Sequence, residues 1–373
     1  MKPFKALFSI LSVSQSLMIF CFISAFIFSS FVPAFGTVLS QEILGFSLKW
    51  WINDGLMTFF FLLIGLELKR ELKLGALSSV KKAGLPLVAA IGGVIVPALL
   101  YIAITPQFLW SGWAIPAVTD IAFSLMILQL FGSFIPSGTK IFLSAVAIAD
   151  DLFAMVIIAL WYNPITVSMV GLSLMVTAVT GLTLLCLKNA QHPIAYLIGL
   201  FCLWLGLVYC HIHPALSGFF TALFVPVGKS LDRMESLFHN ITWMVIVPLF
   251  TLCNAGVDLT TPLSLSYPVF FGIIISLCLG KPLGIFLFSL LGVYFNVGSK
   301  PSQLSWFYIF LAGCFAGIGF TMSLLVTSMA FQDANIINSA KLAIPAALMG
   351  TLLISGLALL IYRQFKKKSQ PLS

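Results

Sequence analysis

Four ionisable side chains stand where a charge is costly. Asp150 and Asp151 are adjacent within SAVAIADDLFAMVIIALW. Asp120 lies in GWAIPAVTDIAFSLMI and Lys281 in LCLGKPLGIFLF, and the flanks of all four are apolar or small. A charge at the centre of a bilayer costs roughly 2.5–3.5 kcal/mol on insertion scales, so it is kept only for pairing or for chemistry. Neighbouring residues of a helix point about 100° apart, so Asp150 and Asp151 cannot share one partner symmetrically. The positions three and four residues away, Val146, Ala147, Ala154 and Met155, carry no charge. Partners must therefore come from other helices. Desolvation favours the neutral form of acid and base alike. Lys281 and a buried carboxylate thus pass between a charged and a neutral pair at small cost, which suits a proton relay better than a strut.

Two of the apolar stretches carry helix breakers beside oxygen-bearing side chains. Pro116 removes a backbone donor three residues before Thr119 and four before Asp120. Backbone freed at membrane depth is tolerated only where it is packed in protein or lines a cavity. Thr119 and Asp120 can bond such backbone locally, and their oxygens suit a hard cation. AGCFAGIGFTMSLL repeats the device: Gly313, Gly317 and Gly319 crowd in before Thr321 and Ser323. Interruptions in corresponding segments of two halves point to the binding site of an inverted-repeat transporter.

These residues need long apolar helices to hold them, and the composition supplies them. Of 373 residues, 60% are hydrophobic and 8% charged, against about 25% charged in a globular domain. Apolar runs of about 20 residues match helices rather than the shorter strands of a barrel. We read an all-α polytopic membrane protein, a single transporter domain over residues 1–373. About twelve spans lie near residues 9–31, 50–72, 84–104, 110–131, 138–161, 166–187, 194–208, 211–226, 238–257, 268–294, 306–329 and 336–362. The basic N-terminus followed by a long apolar run reads as an uncleaved first span. Lys2, Lys5, Lys69, Arg70, Lys73, Lys81, Lys82, Lys140, Lys188, Lys229, Arg233, Lys300, Arg363, Lys366, Lys367 and Lys368 all fall on one side of this topology. The positive-inside rule makes that side, and both termini, cytoplasmic. The basic residues are dispersed among membrane loops, so the net charge of +8 does not indicate nucleic acid. The seven cysteines show no C-x-x-C pairing and read as small core residues. His211 and His213 diverge on a helix and do not form a metal site. The basic tail after Tyr362 suits anionic lipid.

With these residues in hand, the chain resembles the NhaA-type sodium/proton antiporters. The matching stretches, in order, are WINDGLMTFFFLLIGLELKREL, AAIGGVIVPALLY, GWAIPAVTDIAF, KIFLSAVAIADDL, PLFTLCNAGVDL, GKPLGIF and GIGFTMSL. The resemblance implies twelve helices, with spans three to five and ten to twelve as inverted repeats and spans four and eleven crossing as broken helices at the midplane. It implies that Asp151 is the principal cation- and proton-binding carboxylate. Asp150 is then its titrating neighbour, paired with Lys281 in one protonation state, and Asp120 with Thr119 balances the half-helix dipoles around Pro116, Gly317, Gly319 and Thr321. Glu67 and Glu235, with Arg233, His239 and His213, are implied in pH sensing. Two departures stand out. Asp232 and Ser236 occupy positions where other members carry a base and a histidine. The loop between spans one and two is shorter than the hairpin through which the family forms its homodimer.

The activity implied is electrogenic, pH-regulated exchange of cytoplasmic Na⁺ or Li⁺ for external H⁺ across a bacterial inner membrane. Asp150 and Asp151 hold the transported cation; no cofactor and no enzymatic activity are expected. The alternative from chemistry alone is another cation/proton-coupled secondary transporter. An intramembrane aspartyl protease would give Lys281 and the paired breaks no role, and a channel would not couple its flux to protons.

Overall fold

The structure, a computed structural model, describes residues 13–32, 34–75, 78–131, 135–162, 168–257, 266–300 and 304–368. Lys2 and Lys5, counted above for orientation, lie outside them. The described chain is helical apart from one small hairpin. The helices are α1 Val13–Phe31, α2 Ala34–Ser40, α3 Leu48–Leu74, α4 Val80–Ile104, α5 Gln107–Ala117, α6 Ile121–Leu130, α7 Ser137–Trp161 and α8 Met169–Leu187. They continue as α9 Pro193–Tyr209, α10 Leu216–Phe224, α11 Lys229–Asn254, α12 Tyr267–Tyr294, α13 Trp306–Ala316, α14 Phe320–Ala330 and α15 Ala334–Lys368. Each of the twelve apolar stretches contains helix. Among the described residues, seven helices are long and apolar enough to cross a membrane alone, and up to ten spans result if each bent pair is one span.

The loop between spans one and two, expected to be shorter than the family's hairpin, contains a β-hairpin of its own. β1 (Glu42–Ile43) pairs antiparallel with β2 (Phe46–Ser47), Glu42 opposite Ser47 and Ile43 opposite Phe46. Leu44 and Gly45 between them both take positive φ, 53° and 82°. That two-residue turn matches the twist of the strands it joins.

The chain divides into two compact units. One comprises residues 1–78 and 152–262, with α1–α3, the hairpin and α8–α11. Its apolar core includes Leu62, Leu66, Leu182, Tyr196, Ala222, Met234 and Phe238. Gly218 of α10 lies against the Thr58 carbonyl of α3, and Ala222 lies against Gly65, so backbone meets backbone where small residues permit it. The other unit comprises residues 79–151 and 263–373. It contains α4, the α5–α6 pair, the first part of α7, and then α12, the α13–α14 pair and α15. Each half of it thus reads as a long helix, an interrupted pair and a long helix. Gly92 of α4 and Gly284 of α12, three residues from Lys281, each face the other's carbonyl oxygen, so the two helices pack backbone to backbone there.

Candidate functional site

The interruptions fall where the breakers stand. α5, wound as a tight 3₁₀ helix with Pro116 inside it, ends at Ala117. Val118 and Asp120 are extended (ψ 154° and 103°), and α6 leaves at a bend of 54°. α13 ends at Ala316, and α14 starts at Phe320 after Gly317, Ile318 and Gly319, at a bend of 49°. The two breaks meet. The Asp120 amide donates to the Ile318 carbonyl at 2.7 Å. A Cβ on Gly319 would lie 2.7 Å from the Val118 carbonyl, so the approach requires glycine.

Each break leaves helix-end donors and acceptors unsatisfied, and side chains from the opposite break satisfy them. Asp120 caps α6, its Oδ1 accepting from the Phe123 amide at 3.1 Å. Its Oδ2 accepts from the amide and the hydroxyl of Thr321, at 3.0 and 2.5 Å. One carboxylate therefore serves the positive ends of two helices. The carbonyls at the negative ends are met by hydroxyls. Ser124 donates to Phe315 at 2.9 Å, and Ser323 donates to Ile115 at 2.8 Å. Lys281, on α12, donates to the Ala117 carbonyl at 2.5 Å, placing a cation at the C-terminus of α5.

Asp150 joins this arrangement from α7. Its Oδ2 accepts from Lys281 Nζ at 2.5 Å and lies 2.5 Å from Thr119 Oγ1. Thr119 Oγ1 is also 2.9 Å from the Ala316 carbonyl. A hydroxyl has one proton to give, so Thr119 serves the carboxylate or the carbonyl, one at a time. Protonated Asp150 can donate to Thr119, releasing that hydroxyl's proton to Ala316. The hydrogen bonds around the site thus depend on whether Asp150 carries a proton. Asp150 Oδ1 has no hydrogen-bond partner among the described residues. Asp151 lies close enough to act electrostatically on Lys281.

Asp120, Asp150, Asp151 and Lys281 are 4%, 1%, 3% and 0% exposed, so none is wetted from outside the protein. Removing one member of a buried pair leaves an uncompensated charge, which costs several kcal/mol. Among the described residues no three His, Cys, Asp or Glu side chains converge on one point. Hydroxyls, carbonyls and water are what could complete an oxygen shell around Asp150 and Asp151.

The residues implied in pH sensing form two groups in the other unit. His239 Nδ1 lies 3.8 Å from Glu67 Oε1, and Arg70 Nη2 lies 2.7 Å from both Glu235 and Asp232. Arg233 is exposed; the guanidinium facing Glu235 is that of Arg70. His213 stands apart from this group, with Nε2 3.4 Å from Asp54 Oδ1. His211 is exposed and in the left-handed region, φ 53°; it lies in the turn before α10, and the two histidines do not share the expected helix.

Several participants escaped the sequence. Ser124 had a signal, a hydroxyl shortly after a break, as Ser323 has. Arg70 and Asp232 stood out for their charge, and nothing in the sequence paired them with each other or with Glu235. Asn53 and Asn254 exchange amide bonds at 3.2 and 2.7 Å in the core of their unit; 201 residues of sequence conceal that pairing. All seven cysteines are free thiols.

Comparison with known proteins adds an independent line. Residues 6–361 match the family described as Na⁺/H⁺ antiporter 1. The chain is 37% identical over 345 residues to Na⁺/H⁺ antiporter NhaA 1 of Flavobacterium johnsoniae, covering 90% of this chain and 89% of that one. It is 44% identical over 305 residues to Na⁺/H⁺ antiporter NhaA of Escherichia coli, covering 79% and 78%. Its fold is similar to that of the sodium proton antiporter MjNhaP1 from Methanocaldococcus jannaschii, with a TM-score of 0.54 at 16% identity over 92% of this chain and 89% of the other. A polytopic helical chain whose interrupted helices and charges coincide with matches of this extent belongs to the Na⁺/H⁺ antiporter 1 family, the NhaA transporters.

Proposed function

We propose that this protein exchanges Na⁺ for H⁺ as a secondary active transporter, acting as a single transporter domain. The observation that carries this reading is the Asp150 carboxylate. It is buried, held by Lys281 and Thr119 at the meeting point of two broken helices, and has one oxygen free to accept. A proton or a dehydrated Na⁺ can take these oxygens, and the presence of either disfavours the other. Asp151, one residue on, is the principal cation-binding carboxylate in this reading, and Asp150 exchanges between Lys281 and the cation. Asp120 and Thr119 stabilise the helix ends. Glu67, Glu235 and His239, with Arg70 and Asp232 beside them and Arg233 on the same helix as Glu235, adjust the response to pH. His213 acts through Asp54.

A membrane-embedded site that is open to one face at a time converts this exclusion into coupled exchange. Two titrating carboxylates, or one with Lys281, allow more than one proton per Na⁺, which makes transport electrogenic. Li⁺, small and hard, substitutes; K⁺ does not. The chain has about twelve spans and lies in a bacterial inner membrane, with both termini cytoplasmic by the distribution of basic residues. Anionic lipid contacts its basic tail, and the protein pairs as a homodimer. Another cation/proton-coupled transporter is the alternative reading.

Fluorescence dequenching in everted vesicles, with Na⁺, Li⁺ and K⁺ added in turn, tests the reading. Na⁺ and Li⁺ restore fluorescence and K⁺ does not. Asp151→Ala abolishes the response at unchanged membrane abundance, and Asp150→Ala abolishes it in folded protein that melts lower, because Lys281 loses its partner. Full antiport by Asp151→Ala would sink the assignment.

A further inference from the structure

The helix that carries Lys281 is not wound uniformly. One turn of α12, Ser276–Gly280, is in the wider register in which an amide reaches back five residues, and the Lys281 amide donates to the Ser276 carbonyl. Such turns are rare and concentrate at functional sites. The sequence shows one contributor. Pro282 follows Lys281 and has no N–H. In the ordinary register that amide would reach Cys278, and in the wider one Leu277. In the wide register the Leu277 carbonyl has no donor along the helix: the Lys281 amide, which would serve it in the ordinary register, is committed to Ser276, and Pro282 has none.

A carbonyl without a donor at membrane depth must be packed in protein, and α13 packs it. A Cβ on Gly317 would lie 2.5 Å from the Leu277 oxygen, and one on Gly313 would lie 2.9 Å from Pro282 Cα. These glycines are four residues apart and share a face of α13. On the other side, Gly280 faces Pro97 of α4, with 2.8 Å from a built Cβ to Pro97 Cα. The wide turn is seated between two helices, at the break that carries Ala316 and Ile318.

We propose that Pro282 and Gly317 are positioning residues for Lys281. An extra residue in one turn rotates everything beyond it by about 100°. The turn therefore decides whether Lys281 faces Asp150 and the Ala117 carbonyl or faces elsewhere. Pro282 favours the wide turn because in the ordinary register its ring would press on the Cys278 carbonyl, and Gly317 gives the Leu277 carbonyl its room. The consequence for transport rests on the antiport reading above; the positioning itself does not. With Lys281 on Asp150, a cation must displace the ammonium to reach that carboxylate. With Lys281 turned away, the cation meets no competitor and nothing expels it.

Pro282→Ala restores the missing amide, and Gly317→Ala closes the space at Leu277. Both are tested as purified full-length protein, by Na⁺-binding isotherms and by Na⁺-dependent proton movement in proteoliposomes. Na⁺ binding tightens about tenfold as the competing pair is lost, while turnover falls on the order of a hundredfold because Lys281 is misplaced. Pro282→Ala melts no lower than the parent protein, since it gains a helical hydrogen bond. Unchanged Na⁺ affinity in both variants overturns the proposal, whatever happens to turnover, because a purely structural role lowers activity without tightening binding. Failure of both variants to fold overturns it as well, since the turn would then be required for folding and not for aim. Parent protein that binds Na⁺ without moving protons refutes the antiport reading alone, and the affinity comparison still decides the positioning.

Discussion

Thr119 shows how much one hydroxyl can govern. It stands between the Asp150 carboxylate and the Ala316 carbonyl and has one proton for the two. Thr119→Val keeps the shape and removes the donor. A buried acceptor left without its partner costs about 1–3 kcal/mol. The variant therefore melts lower in detergent by the equivalent of that loss, and Thr119→Ser recovers most of it. An unchanged melting temperature for Thr119→Val would mean that the hydroxyl donates to neither group. Asp120 differs in kind. All its acceptor contacts come from the first turns of α6 and α14, so its charge is matched by helix ends rather than by a cation. Asp150 is matched by a cation, Lys281, that a second cation can replace.

At the scale of elements, the two interrupted pairs act as one construction. Each ends its first helix with carbonyls that the other's hydroxyls reach, and Lys281 of α12 meets the last carbonyl of α5. Ser124 and Thr119 serve α13, and Ser323 serves α5. Neither pair could be interrupted alone without leaving donors and acceptors bare in an apolar medium. The close approach depends on Gly319, where a Cβ would press on the Val118 carbonyl and on Ser323. Gly319→Ala forces the breaks apart and destabilises the protein by about 1–3 kcal/mol, read as a lower melting temperature with reduced Na⁺-dependent proton movement. Retention of both would show that the breaks have slack. The Arg70 cluster makes a contrasting case. Its partner Asp232 is largely solvent-exposed, so the pair contributes little to stability, and its worth lies in the charge that it presents.

For the whole molecule, the proposed exchange of more than one proton per Na⁺ makes a measurable demand. Net charge then crosses the membrane in each cycle, and a potential across proteoliposomes changes the rate. A K⁺ gradient with valinomycin, negative on the side from which Na⁺ leaves, accelerates Na⁺ efflux; reversal of the gradient slows it. Indifference to the potential would mean one proton per Na⁺.

Much of this architecture is legible in the sequence. Apolar stretches of membrane length, punctuated by Pro116 and by Gly317 and Gly319, locate helices and breaks, because lipid forbids other backbone arrangements and because these residues remove a donor or a side chain. Isolated charges in those stretches single out Asp120, Asp150, Asp151 and Lys281, since nothing nearby in the chain can neutralise them. Which partners they take was decided only in three dimensions. Asp150 meets Lys281 across 131 residues and Asp120 meets Thr321 across 201. Helical periodicity says which residues share a face, and says nothing of which distant face is opposite. The wide turn at Ser276–Gly280 falls between: Pro282 announces a missing donor, but only the packing of α12 against Gly313 and Gly317 determines that the helix widens there instead of kinking.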